Sequence, residues 1–258
     1  MRNIWTIMTR ELRSYFVSPI AYVILTFFLF IVGYFFLALV LQYSEFSMQA
    51  SANPMWASQL NLHDVIVRNF YSTFGVIMIF VAPILSMRIL AEERRMGTAE
   101  LLLTAPISTG QLVMGKYLGA LGFAAFMLLL TFQYPLYLIM TGAALEKGPL
   151  VAVYLGTLLM VGAFLSAGLF SSSLSSNQII SAIVGFVICL FFWVVGFLGG
   201  IGGGGGEYGE LLKALSISEH YEDFLKGVID TGSVVYYLTF IAFGLFLTQR
   251  VIDSGRWR

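Results

Sequence analysis

Few residues in this chain could carry out chemistry, and none stands at a spacing that chemistry requires. The only histidines are His63 and His220. Neither has a second ligand one helical turn away, as a helix-borne metal site needs. His63 with Asp64 could orient a general base, but no activated nucleophile stands beside the pair. Cys189 is the single cysteine, which excludes a disulfide framework or a zinc site by count; it reads as a small residue facing lipid or another helix. The stretch Gly110-Gln-Leu-Val-Met-Gly115-Lys116-Tyr117 approaches a phosphate-binding loop. Tyr117, however, stands where a hydroxyl must hold magnesium, and no strand can precede it. Gly115 and Gly119 read instead as small residues that let helices approach closely. The run Gly202 to Gly206 has no lysine and reads as a connector. Ser171, Ser172, Ser173, Ser175 and Ser176 with Asn177 carry no charge. Their expected work is to satisfy backbone groups and cap the helix that follows.

The elements that position these residues follow from composition. Of 258 residues, 59% are hydrophobic and 11% charged, whereas soluble domains carry about 25% charged residues. The chain cannot cover a water-facing surface, so it is a membrane protein. A span needs roughly 20 mainly apolar residues, and six windows qualify: 19–42, 70–90, 117–141, 149–170, 179–200 and 234–248. No Asp, Glu or Lys falls within them, and Arg88 is their only Arg, at the end of the second. With both termini inside, ten cations lie on inner segments and four on outer ones, while nine of the 14 acids lie outside. The positive-inside rule therefore places both termini in the cytoplasm. Fourteen cations against 14 acids leave a net charge of zero, which gives nucleic acid no basic face to bind.

The first 18 residues are too charged for a signal peptide. On a helical wheel Ile4, Trp5, Ile7, Met8, Leu12, Tyr15 and Phe16 share one face. Arg2, Thr6, Thr9, Arg10 and Arg13 take the other, with Glu11 an exception at the edge. Such a helix lies in the headgroup plane, and Pro19 turns the chain into the first span. Outside, Tyr43 to Asn69 is expected to become helical from an N-cap at Asn61 and to run into the second span. After the glycine run, Glu210 to Leu215 and Glu219 to Ile229 read as short amphipathic helices at the outer surface. The fold class is thus an all-α polytopic membrane protein: six transmembrane helices, an N-terminal amphipathic interfacial helix, and both termini cytoplasmic.

No ionisable residue lies at mid-membrane, where proton-driven transporters need one. The polar groups there are hydroxyls and amides such as Thr131, Gln133, Tyr134 and Ser166. This argues against proton coupling more than sodium coupling, since a sodium site can be built from carbonyls and hydroxyls alone; a separate ATPase docking inside is the natural other source of energy. The inner segment 91–107 is the place for it. Arg88 to Arg95 continues the second helix out of the membrane, and Gly97 breaks it. Thr98 can cap a new short helix with Glu100 in its first turn, Leu101 to Leu103 give it an apolar patch, and Pro106 ends it. That segment can dock a partner, or it can be a solvated turn whose leucines rest on the bilayer.

Glu92-Glu93-Arg94, Gly97-Thr98, Glu100-Leu101-Leu102, Ala105-Pro106 and Gly115-Lys116 together resemble the signature of ABC-2 type permeases, the membrane subunits of type V ABC exporters. The resemblance extends over nearly the whole chain, as one transmembrane domain spanning 1–258. Its nearest branch is the GldF-like permeases, whose outer-loop pattern is similar to Ile217-Ser-Glu-His-Tyr-Glu-Asp-Phe-Leu-Lys-Gly-Val-Ile-Asp230.

The resemblance implies a non-catalytic permease of the bacterial inner membrane that dimerises with itself or a related chain. It implies two copies of an ATP-binding subunit, with ATP and magnesium held there and no cofactor in this chain. Glu92, Glu93, Arg94, Gly97, Thr98 and Glu100 would form the coupling element, Arg10 and Arg13 a second contact, and the Ser171 to Gln178 turn a third. Gly115 to Gly119 and Phe164 to Gly168 are the places to look for subunit pairing. The expected function is ATP-driven export. The alternative is a mechanical or maturation complex, of the gliding or copper-enzyme-assembly type, acting through the acidic outer loop on outer-face proteins. An intramembrane enzyme built on His63 or His220 would need a polar constellation that the sequence does not offer.

Overall fold

Backbone amides in hydrocarbon must be satisfied within their own segment, and the long apolar runs of this chain meet that demand as helices. The computed structural model describes residues 2–52, 62–97, 107–143, 146–201 and 207–255. Among them every regular element is helical: α1 (Arg2–Val17), α2 (Pro19–Ala52), a π-helical turn (His63–Arg68) leading into α3 (Asn69–Ser86), α4 (Arg88–Arg95), α5 (Thr109–Leu130), α6 (Gln133–Met140), α7 (Lys147–Leu174), α8 (Gln178–Ile201), α9 (Glu207–Ala214), α10 (Ile217–Leu225) and α11 (Thr231–Gly255). Six helical stretches are long and apolar enough to cross a membrane: Pro19–Gln49, His63–Arg95, Thr109–Met140, Lys147–Leu174, Gln178–Gly199 and Thr231–Ser254. The protein is an all-α polytopic membrane protein.

These helices outrun the apolar windows at most ends, because helix propensity does not stop where hydropathy does. α2 passes Gln42 and continues through Ser44 and Glu45, where no Gly or Pro intervenes. α5 begins eight residues before Tyr117, at a cap in which Ser108 Oγ accepts the Gln111 amide at 3.3 Å. The third span, expected to be continuous, is broken at Thr131 and Phe132. Pro135 has no N–H for the Thr131 carbonyl and crowds it, so α5 must end and α6 restart. The expected N-cap at Asn61 and the run Gly202 to Gly206 lie outside the described residues.

α7 occupies the centre, and α3, α4, α5, α8, α10 and α11 all pack on it. Its small residues make this possible. Gly156 meets Phe224 of α10, Gly162 meets Tyr117 of α5, and Gly168 meets Ser86 of α3. Six crossings bring α1 and the end of α11 to one face, termed here the terminal face, where Thr109 Oγ1 donates to Asp253 Oδ1 at 2.6 Å. The stretches considered for subunit pairing are already filled by the chain's own helices. Phe164 is fully buried, and Gly115 and Gly119 lie under α1.

Candidate functional site

On the terminal face the second span does not end at the membrane edge. α3 contains Pro83 and gives way at Met87 to α4, which carries Glu92, Glu93 and Arg94. A side-chain hydroxyl stabilises the junction. Ser172 Oγ of α7 accepts the amides of Leu90 and Ala91, both at 3.1 Å, and donates to the Met87 carbonyl at 2.9 Å. A side chain inserted into a helix's own ladder is a recognised cause of bending. The neighbouring serines also serve the backbone: Ser171 donates to the carbonyls of Gly168 and Ser181, and Ser173 to that of Phe170. Asn177 Oδ1 accepts the Ile179 amide at 2.9 Å and caps α8. The expected work of this serine cluster is the work it does. Gly97, at φ +70°, then ends the segment, a conformation that only glycine takes without strain.

α1 lies along the first half of α5, and the two glycines of α5 set the approach. A methyl group on Gly115 would lie 2.7 Å from Ile7 Cβ, and one on Gly119 2.6 Å from Glu11 Cβ. Arg2, Thr6, Thr9, Arg10 and Arg13 are exposed, as the wheel predicts. Trp5 departs from the wheel: it belongs to the apolar face but is 66% exposed. The far end of α1 is tied down by Tyr15, which donates to the Leu85 carbonyl at 2.7 Å and stacks on Phe123. Burial pushes the Tyr15 phenol well above its ordinary range; Glu11 adds to that shift and Arg88 opposes it. Arg88 lies over the Tyr15 ring and donates to Ser18 Oγ at 2.9 Å.

Between α1, α4 and α5 lies an open cleft of about 480 Å³, lined by Arg10, Glu11, Ser14, Arg88, Glu92, Glu93 and Lys116 with Ile7, Ile89, Met96 and Leu112. Lys116 sits at its floor, almost fully buried. Its Nζ lies 2.7 Å from Glu93 Oε1 and 3.5 Å from Glu11 Oε2, and donates to the Ile89 carbonyl at 2.8 Å. The structure thus brings Arg10, Glu92 and Glu93 to one cleft. Arg94 is half-buried on the same helix, while Arg13 is exposed on α1 and does not line the cleft. Thr98 and Glu100 lie outside the described residues. Sequence reasoning missed Glu11, Lys116 and Arg88 as members of the cluster. The available signals were an acid on an otherwise apolar helix face and a lysine embedded in an apolar helix.

The opposite face is built differently, and here the sequence expectation needs correction. Ile217–Leu225 is amphipathic, as expected, with Glu219 exposed, but it does not lie flat on the surface. It is sunk among α3, α7, α8 and α11, with Ile217, Tyr221, Phe224 and Leu225 buried. The missed signal is the spacing of those four residues, which marks one continuous apolar face. Tyr221 hydroxyl pairs with Thr157 at 2.7 Å and donates to the Tyr71 carbonyl at 3.1 Å. Tyr237 donates to the Ile217 carbonyl at 2.9 Å. His63 Nε2 lies 3.1 Å from the Leu225 carbonyl, and His220 stacks on Tyr236. Both histidines are therefore interface residues, and Cys189 is buried against α7. Among the described residues no three of His, Cys, Asp and Glu come together to hold a metal ion.

The chain matches a family model described as ABC-2 family transporter protein over residues 5–236. No curated protein matches it significantly. The match takes in the residues of the cleft, the first five spans and α10, and ends near the start of the sixth span. With its six apolar spans, the chain belongs to the ABC-2 transporter family, whose members are non-catalytic, multi-pass permease subunits that work with an ATP-binding subunit.

Proposed function

We propose that this chain is the permease of an ATP-driven ABC exporter in the bacterial inner membrane, and that the terminal face is cytoplasmic and receives the ATPase. Charge supports the sidedness, since the inner segments hold ten of the 14 cations. The observation that carries the docking reading is the cleft itself. The second span projects beyond the bundle as α4 and there meets α1 and α5 around one polar opening. A force applied at α4 reaches the core through Met87 and Ser172, and reaches α1 and α5 through Lys116. ATP and magnesium belong to the partner, because this chain offers no phosphate loop: Gly110 to Lys116 is regular helix packed on α1. The complex is a dimer of such permeases with two ATPase subunits. Its nearest branch is GldF-like.

The roles of the acids divide. Glu93 is taken up by Lys116, whereas Glu92 makes no ion pair among the described residues and lines the cleft. Glu92, Arg94 and Arg10, with Arg13 further along α1, are the contacts offered to the ATPase. The test is purification of the tagged chain from its own host in mild detergent, with mass spectrometry of whatever accompanies it. Stoichiometric recovery of an ATP-binding subunit, reduced by Glu92→Ala, is the expected result. Recovery of no ATPase from the unmodified chain sinks the reading.

Mechanical work on outer-face proteins would use the acidic opposite face. Part of that face is committed to the fold: Glu222 pairs with Arg68 and Lys226, and Asp223 and Asp230 hold Ser233 at the start of α11. Glu210 and Glu219 remain exposed, so cargo movement into vesicles, absent from a purely mechanical complex, decides between the two.

A further inference from the structure

A buried lysine inside an apolar helix is costly unless its charge is matched and its donors are used. Lys116 meets both conditions with partners from two other elements. Glu11 comes from α1, and Glu93 and the Ile89 carbonyl come from α4, while Lys116 itself belongs to α5. The geometry has a topological consequence. Glu93 lies near the end of α4 and Lys116 in the third turn of α5, so their 2.7 Å contact ties these two helices directly to each other. The bond to Glu11 then adds α1 to that tie. No other ion pair among the described residues joins these elements; the remaining two are Arg68–Glu222 and Lys226–Glu222, both on the opposite face.

We propose that Lys116 is a positioning residue that locks α1, α4 and α5 into one rigid unit, so that a push on the α4 segment moves α1 and the third span together. Resting on the coupling reading above, it assigns the transmission to a residue that does not itself face the ATPase. The charge matters at two points. An ammonium can serve two carboxylates and a carbonyl at once with its three donors. A neutral side chain of similar length would instead leave Glu11 and Glu93 facing each other across the cleft, and two like charges would push α1 and α4 apart.

The experiment uses the full-length permease in lipid nanodiscs, alone and with the ATPase recovered alongside it. Spin labels at Thr6→Cys on α1 and Arg95→Cys on α4, both exposed positions, report the distance between the two helices. In the unmodified background a narrow distribution is expected, unchanged in width when the ATPase is trapped with ADP and vanadate. Lys116→Met should broaden it and lower permease-dependent ATP hydrolysis by about tenfold, the scale of a typical coupling free energy, while the ATPase still co-purifies. Lys116→Arg should keep both properties. Adding Glu11→Gln and Glu93→Gln to Lys116→Met, which removes the two unpaired like charges, should narrow the distribution again, a rescue that mere damage to packing would not give. A narrow distribution and full hydrolysis in Lys116→Met would overturn the assignment. So would a triple variant as broad as Lys116→Met. If the unmodified chain recovers no ATPase, it is the coupling reading that fails, and the distance widths of the permease alone still decide whether Lys116 makes the lock.

Discussion

Two short helices dock into this bundle from opposite faces, and they are held by different physics. α4 on the terminal face buries Ile89, Leu90 and Ala91 in its first half, and the rest is held by directional contacts: the Lys116 ion pairs, the Ser172 hydroxyl and the Arg88 bonds to the α1 corner. α10 on the opposite face is held by burial, with Ile217, Tyr221, Phe224 and Leu225 all sunk in the core and hydroxyls of Tyr221 and Tyr237 at its flanks. Burial is non-directional and is lost only by pulling the whole side chain out. Directional polar contacts depend instead on single atoms and charges, so one substitution can upset them. The difference sets how each face can be perturbed: the terminal face through charge and hydrogen bonding, the opposite face through packing.

The sharpest way to break this comparison is at Phe224. It is fully buried against the bare backbone of Gly156, so Phe224→Ala should cost about 3–5 kcal/mol, as large-to-small core changes do. Thermal unfolding in detergent measures it. A cost below about 1 kcal/mol would mean that α10 is not wedged in at all. Next in size is the seam between α1 and α5. Gly119→Leu would drive side-chain atoms into Glu11 and the Met8 carbonyl, whose nearest approach to a methyl group there is already 3.1 Å. Overpacking of this kind costs about 1–3 kcal/mol. The more telling readout is hydrogen exchange, which should rise along α1 while α10 stays protected; equal protection in both would show that α1 is not held by this seam.

A smaller effect is expected at the hinge. Ser172→Ala removes the hydroxyl that serves the Leu90 and Ala91 amides and the Met87 carbonyl. The helical backbone at Met87 keeps the junction formed, so the net loss should be about 1 kcal/mol, with α4 shifting against α3. Spin labels at Arg95→Cys and at an exposed residue such as Val76→Cys on α3 would report the change of angle. An unchanged distance would remove Ser172 from the hinge.

The sequence made the architecture legible where hydropathy alone decides. Six apolar windows became six spans, and the break at Gly97 could be read from a residue that helices do not tolerate cheaply. Hydropathy could not reveal that the third span breaks at Thr131, which required weighing Pro135 against its i−4 carbonyl. The site was less legible because its members come from distant parts of the chain. Glu11 and Lys116 are individually anomalies, one an acid at the edge of an apolar face and the other a cation in an apolar helix. Only their approach across 105 residues makes sense of both. α10 was misread for the opposite reason: its charges suggested a surface helix, while the four apolar residues between them decide its position.

The smallest expected effect is also the most direct test of the contrast between the faces. Arg68 and Glu222 form an ion pair on the opposite face, but their side chains remain 35% and 45% exposed, and Glu222 is shared with Lys226 at 3.6 Å. Screened pairs of this kind contribute about 0–1 kcal/mol. A double-mutant cycle with Arg68→Ala and Glu222→Ala should therefore return a coupling energy under about 1 kcal/mol, falling further as salt is raised. The matching cycle on Lys116 and Glu93, whose side chains are 4% and 18% exposed, should return a larger value that resists salt. If the two cycles agree in size and salt dependence, the opposite face relies on charge as much as the terminal face does, and burial is not what separates the two.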